Sequence, residues 1–419
     1  MKTSLSCVLA LALATLPLIA ADRPTPPLDK LLTDSAFFTK PMNEIMPPEG
    51  GFQWLSEKHD GMRAEAQRWQ LFGEKTGEIV IRGDASHVLN VSISLYNKGD
   101  DGEIPAKELD SRFDAWKKRL SENLGLPGES YTQNSAVTTK GWIWKKDKSA
   151  WLMESSVSRG SGAPQAEFLR LRLASLDAAG AKSQVAHRAS LPEHIVKKDN
   201  GDVYIDGVPM VDQGQKGYCA VATAERVARY YGLEVDQHEM AQVAKTDGAG
   251  TSMAAMEEAL KRITGRLHIS TTKRFEYDAN QYNEDLREYN MAAKHGGAEK
   301  IDGNQGYVDV TRLHELAKPD IFLAVKSKQT AYKSRFIARI EEAIDKGVPV
   351  CWSLELGMFP EQGLPQSHGG HMRLIIGYNK KTDEIIYTDS WGAGHEFKRM
   401  PGPQAWCMTT ALYTMAPTS

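Results

Sequence analysis

At 419 residues the chain is long for a single hydrophobic core, so two domains are expected. Its 41% hydrophobic and 25% charged residues are ordinary for a soluble globular protein. A formal net charge of −3 gives no indication of a nucleic-acid or anionic-membrane partner, and none is expected. Residues 1–21 read as a signal peptide: Lys2 is followed by the 13-residue apolar run Val8–Ala20, and Ala20–Ala21 offer a small-residue cleavage site. That run is shorter than the roughly 20 residues a spanning helix needs, and no later stretch is apolar enough to span. Cys7 precedes the run and is misplaced for lipid attachment. Export as a protein without a membrane span is therefore expected.

Residues 22–48 are proline-rich and read as an irregular lead-in. From there to about residue 175 the pattern is that of a separate α+β domain. Strand-like text around Phe52–Trp54, Trp69–Leu71 and Ile79–Ile81 leads to Leu89, Val91, Ile93 and Leu95, which alternate with polar residues. Leu109, Phe113, Trp116, Leu120 and Leu124 then step at helical period between Pro105 and Gly125, start and stop signals for an amphipathic helix. Strands resume at Trp142–Trp144, Trp151–Met153 and Leu169–Leu173. Most of the chain's nine tryptophans lie in this half, where alternating strand positions mark them as core. No chemical constellation is visible there. Residues 176–190 are small, polar and aperiodic, and read as a linker.

The second domain is expected over residues 191–419. A hairpin around Asn200–Gly201 leads into VDQGQKGYCAVATAERVARYYG, residues 211–232, where Gln213 and Cys219 stand six apart. Val221, Ala224, Ala228 and Tyr231 form one helical stripe, and Gly232 stands where the helix should stop. Cys219 thus lies at a helix N-terminus, where unpaired N–H groups and the helix dipole favour an anion. On these residues alone it is either a nucleophile or a small buried apolar side chain. Further on, a helix is expected on Met253, Met256, Leu260 and Ile263, and a charged helix over 280–294. Another helix carries Ile337, Ile340 and Ile344, and the buried strand VPVCWSLEL follows it. The rest of 270–330 is polar and has no readable period.

The segment Gly369–Gly392 distinguishes between the two readings of Cys219. Leu374–Tyr378 and Ile385–Thr388 are apolar strands joined by the turn-rich NKKTDE. In an antiparallel hairpin the start of the first strand lies beside the end of the second, so His371 and Asp389 come together. A carboxylate there holds the imidazole in one tautomer and stabilises its protonated form. Cys219, His371 and Asp389 then supply nucleophile, base and orienting group. The Gln213 amide, with the Cys219 N–H, supplies donors for the oxyanion formed when sulfur attacks a carbonyl. His368 and His371 could instead be two metal ligands, but the glycines between them disfavour a helix and no Cys or Glu stands nearby at zinc-like spacing. Without the signal peptide three cysteines remain, an odd number, so if Cys351 and Cys407 pair or stay buried the odd one out is Cys219.

At these residues the second half resembles the papain-like cysteine peptidases. The glutamine six before the cysteine, the G-H-M before an apolar strand ending Gly377–Tyr378, and D-S-W-G at Asp389–Gly392 all parallel that superfamily. Asp rather than Asn at 389 and the absence of C-G-S-C-W direct the resemblance to the bacteriocin-processing, double-glycine-leader branch. It covers about residues 205–415 and not the first half. It implies an α+β fold, with a helical lobe carrying the nucleophile and an antiparallel sheet lobe carrying the histidine. By the same resemblance Gln213 is the oxyanion donor, Cys219 the nucleophile, His371 the base, Asp389 its orienting partner, and Trp391 the indole that shields the pair. The implied function is cysteine-type peptide hydrolysis of a peptide or protein substrate without metal or organic cofactor. Two alternatives use the same residues: transglutaminase-like acyl transfer, and a non-catalytic peptide-binding protein retaining the fold.

Overall fold

The computed structural model describes residues 26–418 apart from 48–49, 135–136, 159–162, 178–185, 215–216, 234, 245–257, 259–260, 262–268, 304–308 and 367. The signal-peptide stretch, much of the linker and the helix expected on Met253–Ile263 lie outside the described residues.

Alternating apolar residues in the first half build an eight-stranded sheet in which every neighbour is antiparallel. Across it the strands begin at Phe52, Gly61, Ile79, Val88, Gln165, Ser149, Thr138 and Glu129. The expected alternation is broken at two points: Leu95 is skipped in the pairing with the following neighbour, where Leu169 faces Tyr96 and Arg170 faces Ser94, and Leu89 in the pairing with the preceding one. Arg82 pairs with Asn90 and Gly83 with Val88, so Leu89 is an extra residue in a β-bulge and is 40% exposed. The helix Ala106–Leu124 follows its periodic signal, starts after Pro105 and ends on left-handed Gly125. Its buried Leu109, Phe113, Leu120 and Leu124 pack against three of the later strands. Each such side chain contributes about 1.5–3 kcal/mol when removed from water. The stretch expected to be an irregular lead-in carries the helical turn Asp29–Leu32 and two short 3-10 turns. Its Leu28, Leu32, Phe37, Phe38, Met42 and Ile45 are buried in the core of this first sheet, because apolar spacing outweighs the surrounding prolines.

The second half has its own core and its own antiparallel sheet. Strands beginning at Ile195, Asp202, Gly369, Val350, Thr409 and Ile269 lie in that order, and Glu384–Thr388 also pairs with Gly369–Asn379. The strand Val350–Leu356 is buried at every position, its polar Ser353 and Glu355 included. Helix Cys219–Tyr230 crosses over the Gly369–Asn379 strand and beside helix Gln237–Ala244. It is buried on nearly every side, so its apolar stripe understates its contacts. The charged helix expected over 280–294 is Ala279–Gly296, and the rest of the polar region forms strand Ile269–Glu276 and helices Val310–Leu316 and Pro319–Lys328. Asp278 and Asp309 cap two of these helices by accepting from the backbone N–H three residues on. Cys351 and Cys407 are free and buried, and burial pushes each thiol up to about 12. Among the described residues no helix is long and apolar enough to cross a membrane.

Candidate active site

The hairpin formed by Gly369–Asn379 and Glu384–Thr388 places the two side chains expected at its open end in contact. His371 Nε2 lies 2.6 Å from Asp389 Oδ1, and both residues are buried. Arg373 is two residues beyond His371, hence on the same face of its strand. Its Nε donates to Asp389 Oδ2 at 2.6 Å, and the Ser390 N–H donates to Asp389 Oδ1 at 2.9 Å. From the helix side, Arg226 Nη1 donates to the Asp389 carbonyl at 2.7 Å and Nη2 to Thr388 Oγ1 at 2.6 Å. The carboxylate is thus fixed by two cations and a backbone N–H.

This arrangement sets the charges. Burial disfavours charged His371, but the adjacent Asp389 carboxylate outweighs it and raises the imidazole to about 9, with a further contribution from Cys219. Burial would raise the Asp389 carboxyl, yet His371 and Arg373 hold it well below the usual carboxylate range. His371 Nε2 is therefore committed to Asp389, while Nδ1 is buried without a closed hydrogen bond. Trp391 stacks on the His371 ring, centroids 4.3 Å apart and planes 8° from parallel.

Cys219 is the first residue of its helix and stays partly exposed. Just upstream, Gln213 is buried and joined to the hairpin twice. Its N–H donates to the Ser390 carbonyl at 2.9 Å, and its Oε1 accepts from Ser390 Oγ at 2.7 Å. Two further bonds shape the loop: the Gly214 N–H donates to Asp212 Oδ1 at 2.8 Å and Arg226 Nε to the Pro209 carbonyl at 2.9 Å.

Of the residues singled out in the sequence, His371, Asp389 and Trp391 form one contiguous group, Cys219 acts on the His371 ring, and Gln213 is tied to Ser390 beside it. His368 is exposed. Among the described residues no group of three or more His, Cys, Asp and Glu side chains converges on a metal-sized space. Sequence reading missed Arg373, Ser390 and Arg226. Arg373 had a signal, its i+2 relation to His371. Ser390 was inside the D-S-W-G motif without a role, and Arg226 had none.

A family model described as the Peptidase_C39 like family matches residues 205–411. Among solved structures, the peptidase domain of Streptococcus ComA, a bi-functional ABC transporter involved in a quorum-sensing pathway, is 13% identical with a TM-score of 0.26. That match covers 50% of this chain and 99% of the other. Xylellain, a cysteine protease from Xylella fastidiosa, is 10% identical with a TM-score of 0.29, covering 56% of this chain and 92% of its own. No curated protein matches the chain.

Proposed function

We propose, from a second half that belongs to the Peptidase_C39 like family over residues 205–411, that this protein hydrolyses peptide bonds through Cys219. The observation that carries the reading is the buried His371–Asp389 pair at 2.6 Å with Cys219 beside its imidazole. In this mechanism the Cys219 proton passes to His371 and sulfur attacks the scissile carbonyl carbon. The Gln213 Nε2 and the Cys219 N–H donate hydrogen bonds to the developing oxyanion. As the tetrahedral species collapses, His371 gives its proton to the departing amine and a thioester remains. His371 then takes a proton from water, whose oxygen displaces sulfur and releases the acid. Asp389 holds the imidazole in one orientation throughout, and Trp391 keeps water from its face. Each step conserves protons without an added cofactor.

The positive start, the apolar run Val8–Ala20 and the small residues Ala20–Ala21 support export as the setting for this activity. The test is a peptide-library digest by wild type and Cys219→Ala. Loss of all cleavage in a variant with unchanged circular dichroism is expected, and retained cleavage would sink the mechanism. Adding a primary amine identifies the acceptor: acid products support hydrolysis, whereas amide products would reassign the same thioester to acyl transfer.

A further inference from the structure

The first half of the chain touches the second at the residues that precede the two oxyanion donors. Asp212, just before Gln213, accepts from Arg63 Nη1 at 3.4 Å, and Arg63 belongs to the strand Gly61–Ala64. Tyr218, just before Cys219, is buried with its hydroxyl bonded by Asn97, at the end of the strand Val88–Asn97. The fit at that ring is close: a Cβ on Gly99 would overlap the Tyr218 hydroxyl. Between these two points Arg82 Nη1 donates to the Met210 carbonyl at 3.1 Å, and Arg82 Nη2 lies 3.8 Å from Glu225 on the Cys219 helix.

The contact continues in a charged core. Arg170 of the first sheet is 2% exposed and pairs with Asp236 and Glu239 of the second half as well as with Glu154 of its own sheet. The halves are therefore joined by ion pairs buried between them. With the first half in place, Cys219 remains partly exposed.

We infer that the first half is a positioning element of the oxyanion hole, holding Gln213 through Arg63–Asp212 and the Cys219 N–H through Asn97, Gly99 and Tyr218. The inference rests on the peptidase reading for its functional consequence. Its physical basis is that donors act only when fixed where charge develops, and a displacement of about 1 Å can cost roughly 10²-fold. The role of these first-half residues is exerted through the backbone of Met210–Gln213 and Tyr218–Cys219.

Full-length Gly99→Ala, Arg63→Met and Arg63→Lys proteins test this with three readouts. Gly99→Ala and Arg63→Met are expected to lower kcat about 10- to 100-fold, approaching the loss of an oxyanion donor, with KM within about threefold. Alkylation of Cys219 by iodoacetamide, which forms no oxyanion, should stay within about threefold, and Arg63→Lys should recover most of kcat. Independently of any substrate, the amides of Val211–Gln213 and Tyr218–Cys219 should exchange hydrogen about tenfold faster, while strand Val350–Leu356 is unchanged. Unchanged kcat and exchange in folded variants would overturn the inference, as would a parallel fall in kcat, alkylation and global protection. If wild type shows no Cys219-dependent hydrolysis, the peptidase reading fails while amide exchange still decides whether the first half fixes the loop. If Gly99→Ala does not fold, the Arg63 pair of variants decides.

Discussion

Ser390 Oγ donates a 2.7 Å hydrogen bond to Gln213 Oε1, and the Gln213 N–H donates to the Ser390 carbonyl at 2.9 Å. These two bonds tie the loop before the Cys219 helix to the residue after Asp389. With Oε1 engaged by Ser390, Nε2 is the end of the amide that can serve an oxyanion. Ser390→Ala is expected to lower kcat about 10- to 100-fold with little change in KM, because the amide loses its fixed orientation. The fold should survive, since one lost hydrogen bond costs about 1 kcal/mol. Steady-state kinetics on a cleaved peptide checks this, and an unaltered kcat would separate Gln213 from the reaction.

The His371 imidazole is raised to about 9 because Asp389 outweighs its burial. In the proposed mechanism it protonates the leaving amine, so kcat/KM should stay level until pH approaches 9 and lose one proton's worth of activity above it. Asp389→Asn should move that limb downward, toward the ordinary imidazole value. The same shift acts on stability with a definite sign. A folded-state value above the unfolded one contributes stability that is complete below about 6.5 and is lost as pH rises through about 9, on the order of 3 kcal/mol in all. A pH–rate profile and a melting curve at each pH check the two parts. A melting temperature flat from pH 6 to 10 would contradict the second.

Arg170 faces three carboxylates, those of Glu154, Asp236 and Glu239. Burial pushes Glu239 upward despite Arg170, whereas Arg170 holds Asp236 well below its ordinary range. Arg170→Met keeps much of the stem but removes the cation that Asp236 and Glu239 share at the junction of the two halves, while Glu154 keeps Arg172. The expected loss is about 3–5 kcal/mol, read as a lower urea midpoint. Raising the acidity should narrow the gap to wild type, because protonating the carboxylates removes the stranded charge. A variant as stable as wild type at pH 7 would show that the cluster is not holding the halves together.

Much of the site could be read in order along the chain because its parts are local. Helical period and a glycine stop position Cys219 on a helix end, and strand–turn–strand patterning brings His371 to Asp389 without knowledge of any other element. In the polar region after residue 269 only the helix near 280–294 was legible, and its buried Tyr282, Leu286, Tyr289 and Ala293 stand at helical period. Strand Ile269–Glu276 and the short helix Val310–Leu316, which buries Leu313 and His314, offer too few apolar positions for a period to show. The β-bulge at Leu89 likewise depends on the partner strand, where Arg82 and Gly83 set the register.

The amino-acid sequence by itself determined which chemistry-bearing residues this protein has and the two local elements that present them, since period and turn chemistry are properties of short segments. Tertiary structure alone decided what surrounds them. Arg373 and Arg226 reach Asp389, Ser390 reaches Gln213, and Arg63, Gly99 and Arg170 bring the first half against the loop and helices of the second. Those contacts join residues far apart in the chain, and their energies depend on burial and charge pairing that no local pattern records.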